Sequence, residues 1–314
     1  MQSSVSQEQE TASNWVALPT LFVALIAVSF APIFIRFSET ELGANATVLN
    51  RMAIFLLCFG SVRWAKQRLP SSTNDETTPI PLRQWLLLVG VGASAVISLV
   101  LWAISLQYTT VAKCMLLNNL TPLFTSLGSW LLLGKRFDSR FLAGMTIALA
   151  GAIGLGMEDL QGAEGFLIGD VYALLSAVFL GIYFLIVEQL RCRFSATTIL
   201  LWRCAIGSAV LLPVVLLTEG QVLPTTTAAI LAVLGLGLIS EGLGQRLLAD
   251  CLDKLSSSFV ALFLLLEPIV SALLAWLIFM EQLSPATWVG FAVVLSGIYL
   301  AQTSQGCLQV ASSD

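Results

Sequence analysis

Ionisable side chains inside long apolar runs are the groups able to do chemistry in this chain, and they are few. Glu267 stands directly before Pro268 in one run, and Glu241 shares a helical face with Gly237 and Gly244 in another. An acid at membrane depth is costly and marks function by default. It can bind a cationic or amino group, or carry a proton. The plainer reading of Glu267 is a neutral carboxyl bonded to backbone freed by the proline. Arg51, Lys113 and Arg203 are the cations within apolar runs. Arg51 and Arg203 suit gates that pair with acids, or interfacial anchors. Lys113 suits an outer vestibule for an anionic substrate, or a side chain snorkelling to the interface. There is no histidine. That excludes His-based metal sites, His general bases and Ser-His-Asp triads, and leaves any proton coupling to carboxylates, first Glu267. The six cysteines are scattered without a CxxC pair, which argues against a disulfide framework or a zinc site.

Uncharged polar residues single out two of the apolar runs. Asn118, Thr121, Thr125 and Ser129 step by three and four, which is one helical face. In a second run Glu267, Ser271 and Ala275 hold the equivalent places. Each run also carries an internal proline, Pro122 or Pro268. Proline frees the carbonyl four residues earlier, here that of Asn118 or Leu264, and in hydrocarbon such a group needs a protein or water partner. Two kinked helices with polar stripes can line a cavity, or can bond to neighbouring helices. Trp102 and Tyr183 suit stacking on a substrate, or an interfacial aromatic belt.

These residues must be held by membrane helices. Hydrophobic residues make up 57% and charged residues 11% of the 314, with a mean hydropathy of +0.89. Soluble domains carry about 25% charged residues. Ten apolar segments cover about 15–36, 46–64, 85–107, 111–133, 140–157, 166–188, 196–217, 226–248, 257–280 and 285–302, each near the length that crosses roughly 30 Å of hydrocarbon. Residues 1–14 are polar and lack Lys or Arg, unlike a signal peptide, so the first segment reads as a retained helix. Loops after even-numbered segments hold eleven of the 15 basic residues, from Arg63 and Lys66 to Arg246 and Lys254; loops after odd-numbered ones hold Arg36 alone. The positive-inside rule then places both termini in the cytoplasm, most simply at a plasma (inner) membrane. The net charge of −4, with no basic domain, argues against nucleic-acid binding.

The two marked runs belong to a repeat. Residues 103–151 align without gaps to 249–297 at an offset of 146, pairing Pro122 with Pro268, Trp130 with Trp276, Gly144 with Gly290 and Gly151 with Gly297. Arg51 and Arg203 match at an offset of 152, the first half having a loop six residues longer. A five-helix unit repeated once must insert upside down the second time. The expected fold is therefore an all-α polytopic membrane protein of ten transmembrane helices in two inverted five-helix repeats. Its parts are a polar tail (1–14), a first repeat (15–157), a second repeat (166–302) and a closing tail (303–314). Inverted repeats place a substrate site near the midplane of an alternating-access carrier.

The run LTPLFTSLGSWLLLGKRFDSRFLAGMTIALAGAIGL and its echo LEPIVSALLAWLIFMEQLSPATWVGFAVVLSGIYLAQ resemble the two EamA repeats of the drug/metabolite transporter superfamily. The resemblance implies ten helices, cytoplasmic termini and a central cavity between the halves. It departs at Lys135, where the family motif commonly has Glu. No nucleotide-binding motif, soluble domain or catalytic cluster accompanies these features, so neither an enzyme nor an ATP-driven pump is expected, and no cofactor or metal. The expected function is a secondary active carrier that exports or exchanges a small organic metabolite, an amino acid or similar compound. An organic-phosphate or nucleotide-sugar exchanger is the alternative, and a non-transporting structural membrane protein the alternative of another class. The expected partners are that solute and the lipid bilayer; proton coupling and a monomeric or homodimeric state stay open.

Overall fold

The computed structural model describes residues 18–68, 81–133, 139–160, 166–191, 193–252, 260 and 263–303, and among these residues there is helix and no strand. In chain order the helices are α1 (Leu18–Ser38), α2 (Ala44–Arg68), α3 (Leu82–Tyr108), α4 (Val111–Asn118 continued by Thr121–Leu133), α5 (Ser139–Leu160) and α6 (Phe166–Arg191). They continue with α7 (Ala196–Thr218), α8 (Thr227–Leu234, Gly235–Gly244 and Gln245–Leu252 in succession), α9 (Glu267–Phe279) and α10 (Pro285–Gln302). Six are long and apolar enough to cross a membrane: α1, α2, α3, α6, α7 and α8, with mean hydropathy from 1.2 to 2.4. Apolar stretches of α5, α9 and α10 are shorter. The polar tail 1–14, the basic loop residues Lys135, Arg136 and Lys254, and residues 304–314 lie outside the described residues.

Where kinks are expected, α4 is broken and α9 begins, each with its proline in the opening turn of the new helix. Proline is at home there, because its missing N–H would be an orphan anyway. The Asn118 carbonyl that Pro122 leaves free accepts from Thr121 Oγ1 at 2.6 Å. A third break, unforeseen in the sequence, lies in α1 at Phe30, with Pro32 opening the next turn. Around it the Ala27 carbonyl accepts from Ser240 Oγ (2.9 Å) and the Ser29 carbonyl from Ser271 Oγ (3.1 Å). Hydroxyls on α8 and α9 thus satisfy carbonyls beside the interrupted stretch of α1, as a water-free surrounding requires.

Part of the helix packing follows one rule. Helix α3 lies on α6 and α7, α8 on α1 and α2, α4 on α6, α9 on α1, and α2–α7, α4–α9 and α5–α10 form pairs. Exchanging every helix for the one five places away returns this set, whereas the α2–α3, α1–α3, α5–α6 and α4–α10 contacts have no counterpart of similar extent among the described residues. In the α5–α10 pair a Cβ on Gly144 would run into the Gly297 carbonyl and Ala301 nitrogen, and one on Gly297 into the Gly144 carbonyl and Ala148 nitrogen. Residue numbers rise on one helix as they fall on the other, so the two are antiparallel with their backbones in contact.

This contact yields a paired expectation. Gly297→Ala lowers stability by about 1–3 kcal/mol through overpacking, whereas Gly154→Ala, with nothing within 4 Å of its added methyl, is neutral or stabilises by up to about 1 kcal/mol through helix propensity. Thermal unfolding of the two variants in detergent checks it.

Candidate functional site

At the centre of the helical bundle two cations meet one acid. Arg51 on α2 reaches Glu241 Oε2 through Nε at 2.8 Å and through Nη2. Arg203 on α7 pairs with the other oxygen, Oε1, through Nη2. Glu241 is 1% exposed, and Arg51 and Arg203 are 7% and 8% exposed. The local sequence of α8 makes the meeting possible. Its Gly235–Gly244 stretch is a π-helix, a rare, widened form frequent at functional sites. A Cβ on Gly237 would strike Ile54 of α2, and Cβ atoms on Gly242 and Gly244 would strike Phe59 and Val28. Without side chains at these places α8 lies close enough to α2 for the short Glu241 side chain to reach a guanidinium.

Aromatic faces complete the enclosure. The Arg51 guanidinium carbon sits 5.7 Å from the Trp102 ring centre, and that of Arg203 sits 5.6 Å from Tyr183. Taking an ion out of water costs several kcal/mol, and a desolvated cation over an aromatic face recovers about 2 kcal/mol. Within the triad the stoichiometry is unequal, two guanidiniums sharing one carboxylate. Arg51 Nη1 and Arg203 Nε are buried donors with no hydrogen-bond partner among the described residues. Glu267, half-buried at the start of α9, lies within electrostatic range of Arg51.

The other residues singled out by sequence divide into two groups. Asn118 stands near the α3–α6 seam, accepting from Ser176 Oγ at 3.3 Å. Thr121 and Thr125 turn their hydroxyls onto the carbonyls of Asn118 and Thr121 in their own helix (2.6 and 3.0 Å), and Ser271 binds α1, so these hydroxyls serve backbone. Pro122 is half-buried and Pro268 buried. Lys113 is 7% exposed, in the first turn of α4.

A second cluster, at one end of the bundle, was visible in sequence only as loop charge. Arg36, at the end of α1, pairs with Glu281 after α9 and donates to the Leu106 (3.2 Å) and Thr109 (2.8 Å) carbonyls at the end of α3. Glu281 also accepts from the Val111 N–H that opens α4 (3.2 Å). Glu219 accepts from the Asn45 and Ala46 N–H groups that open α2 (3.0 and 2.9 Å), and Glu41 from the Thr226 N–H ahead of α8 (2.9 Å). Each of these three acids thus sits at the N-terminus of another helix, where the helix dipole favours negative charge. The hydroxyls of Thr225 and Thr226 pull the Glu41 carboxyl down to about 2. Burial pushes Glu39 up to about 8, against the opposing pull of Gln107 and Arg36.

Comparison with known proteins agrees with this architecture. The sequence profile described as the EamA-like transporter family matches residues 15–157 and 167–303. Two uncharacterized transporters of Archaeoglobus fulgidus are similar to the chain: one is 24% identical, covering 71% of this chain and 78% of its own length, the other 25% identical, covering 68% and 75%. A solved crystal structure superposes with a TM-score of 0.61 at 21% identity, over 91% of this chain and 96% of that one, which shows a shared fold.

Two outcomes follow from the charges. Glu241→Ala leaves two buried guanidiniums unopposed and lowers stability by about 3–5 kcal/mol, whereas replacing Arg51, Arg203 and Glu241 together by Met, Met and Leu restores or exceeds wild-type stability; thermal unfolding of both variants decides. Glu39, with its folded-state value raised from 4.5 to about 8, holds a proton in the folded protein that the unfolded chain releases. Its contribution is therefore most favourable below about 4.5 and is lost as pH rises toward 8. Glu39→Gln flattens that part of the stability–pH curve.

Proposed function

The chain belongs to the EamA-like transporter family, and we propose that it is a secondary active carrier that exports or exchanges a small organic metabolite by alternating access. The observation that carries this reading is the meeting of Arg51 and Arg203 on Glu241. These arginines hold matching places in the two halves, so their contact point lies on the pseudo-symmetry axis, where inverted-repeat carriers keep their substrate. In this reading all ten helices cross the membrane as two inverted five-helix repeats. The contacts that recur five helices apart and the antiparallel α5–α10 contact support it.

Both termini are cytoplasmic and the membrane is the plasma membrane, on the charge pattern of the loops. The Arg36–Glu281 cluster then lies at the outer end and ties α1, α3, α4 and α9 together. It acts as the outer gate, and Lys113 stands just beneath it. In this reading Trp102, Tyr183, Asn118 and Glu267 line the substrate path around the triad. Glu267 is the proton carrier or the partner of a substrate amino group, which suits an amino acid or similar compound. The second reading, an organic-phosphate or nucleotide-sugar exchanger, is favoured by one specific observation: the central site holds two arginines that share one carboxylate.

Proteoliposomes holding the full chain should show saturable flux of members of a metabolite library, with rates that change under an imposed pH gradient. Glu267→Gln should retain the fold and lose the pH dependence. Flux that keeps its full pH dependence in that variant would remove Glu267 from coupling. Absence of flux for every solute would favour a structural membrane protein over a carrier.

A further inference from the structure

The central triad carries more cation than its own acid can match. Glu241 offers two oxygens, and both are engaged: Oε2 by Arg51 and Oε1 by Arg203. Even so, Arg51 Nη1 and Arg203 Nε are buried with no partner among the described residues. An unsatisfied donor on a buried ion is among the more costly features a protein can retain. Two such donors stand on two guanidiniums held by the same carboxylate. The buried Trp102 Nε1, on the ring that lies over Arg51, is a further donor with no partner among the described residues. A cationic group would leave these donors unpaired. An oxyanion would pair with them and use the fork geometry of arginine, which matches carboxylate and phosphate oxygens.

We propose that this is an oxyanion subsite: a carboxylate or phosphate group of the transported solute docks against Arg51 Nη1 and Arg203 Nε, with Glu241 as the resident anion that holds the two guanidiniums together and competes with the incoming one. The proposal rests on the carrier reading for the identity of its guest as cargo, and on the side-chain geometry alone for the existence of the site. Arg51 and Arg203 are binding residues in it. Glu241 is a positioning residue that sets how strongly they bind.

The test uses the full chain in a neutral detergent at fixed ionic strength, with benzoate, phenyl phosphate and neutral benzamide as probes in thermal unfolding. Benzoate or phenyl phosphate should raise the melting temperature saturably and benzamide should not; which anion acts distinguishes a carboxylate guest from a phosphate guest. Arg203→Lys keeps the charge but removes the Nε donor, and should weaken the apparent affinity by about tenfold or more, as expected for a charge-assisted hydrogen bond. Arg51→Lys should do the same. Glu241→Gln relieves the competition and should strengthen anion binding; should that variant fail to fold, the two lysine variants and the wild type still decide. No saturable shift with either anion in the wild type, or a shift undiminished in both lysine variants, overturns the proposal. Benzoate and phenyl phosphate are then added to the proteoliposome assay. Flux insensitive to both leaves the carrier and removes the subsite, whereas anion binding without flux of any solute leaves the subsite and removes the carrier.

Discussion

A charge inside the bundle needs an opposite charge within reach, and much of the architecture around α2, α7 and α8 answers to that need. Glu241 cannot reach Arg51 unless α8 lies almost against α2, and that closeness excludes side chains at Gly237 and Gly242. It also calls for a helix wide enough to turn the acid inward, which the π-helical stretch provides. Arg203 reaches the same acid because α7 packs on α2, where a Cβ on Gly207 would meet Met52. The aromatic faces of Trp102 and Tyr183 then extend the requirement to α3 and α6. Five helices are committed to the surroundings of three side chains.

The backbone obeys a parallel constraint. Near the breaks in α4 and α1, serine and threonine hydroxyls bond to backbone carbonyls that water does not serve. In α4 the remedy is local, from Thr121 to Asn118. In α1 it comes from α8 and α9, through Ser240 and Ser271. The second arrangement joins three helices at the level where α9 begins, so the same bonds that satisfy α1 also fix the position of Glu267. At the far end of the bundle, glutamates serve helix N-termini in the same complementary way, acids for N–H groups where the serines act for carbonyls.

Much of this was legible in sequence because hydropathy and proline position are one-dimensional properties. The apolar segments, the Pro122/Pro268 pair and the Arg51/Arg203 pair are read directly from spacing. Spacing shows which residues share a helix face and not which neighbouring helix that face meets, so the convergence of both arginines on Glu241 could not be read. The same limit explains the polar stripe of α4. Its period is right for a lined cavity, yet Thr121 and Thr125 turn back onto their own helix, a choice made by χ1 that a sequence pattern does not record. Arg36 was visible as the one basic residue among acidic loops, but its partner Glu281 stands 245 residues away. The break at Pro32 had a direct signal, a proline within an apolar run, and it has no equivalent in the second half to draw attention to it.

Glu241 lies outside the stretch 249–297 that repeats residues 103–151, and it is the carboxylate on which Arg51 and Arg203 converge. Two matching arginines therefore share an acid that only one half supplies. The two sequence repeats match in their arginines but not in this acid, so the charges of the site are unevenly drawn from the two halves. A rearrangement that exchanged the surroundings of the two arginines would therefore not return the same set of ion pairs. The energy landscape of the bundle is tilted by a single side chain.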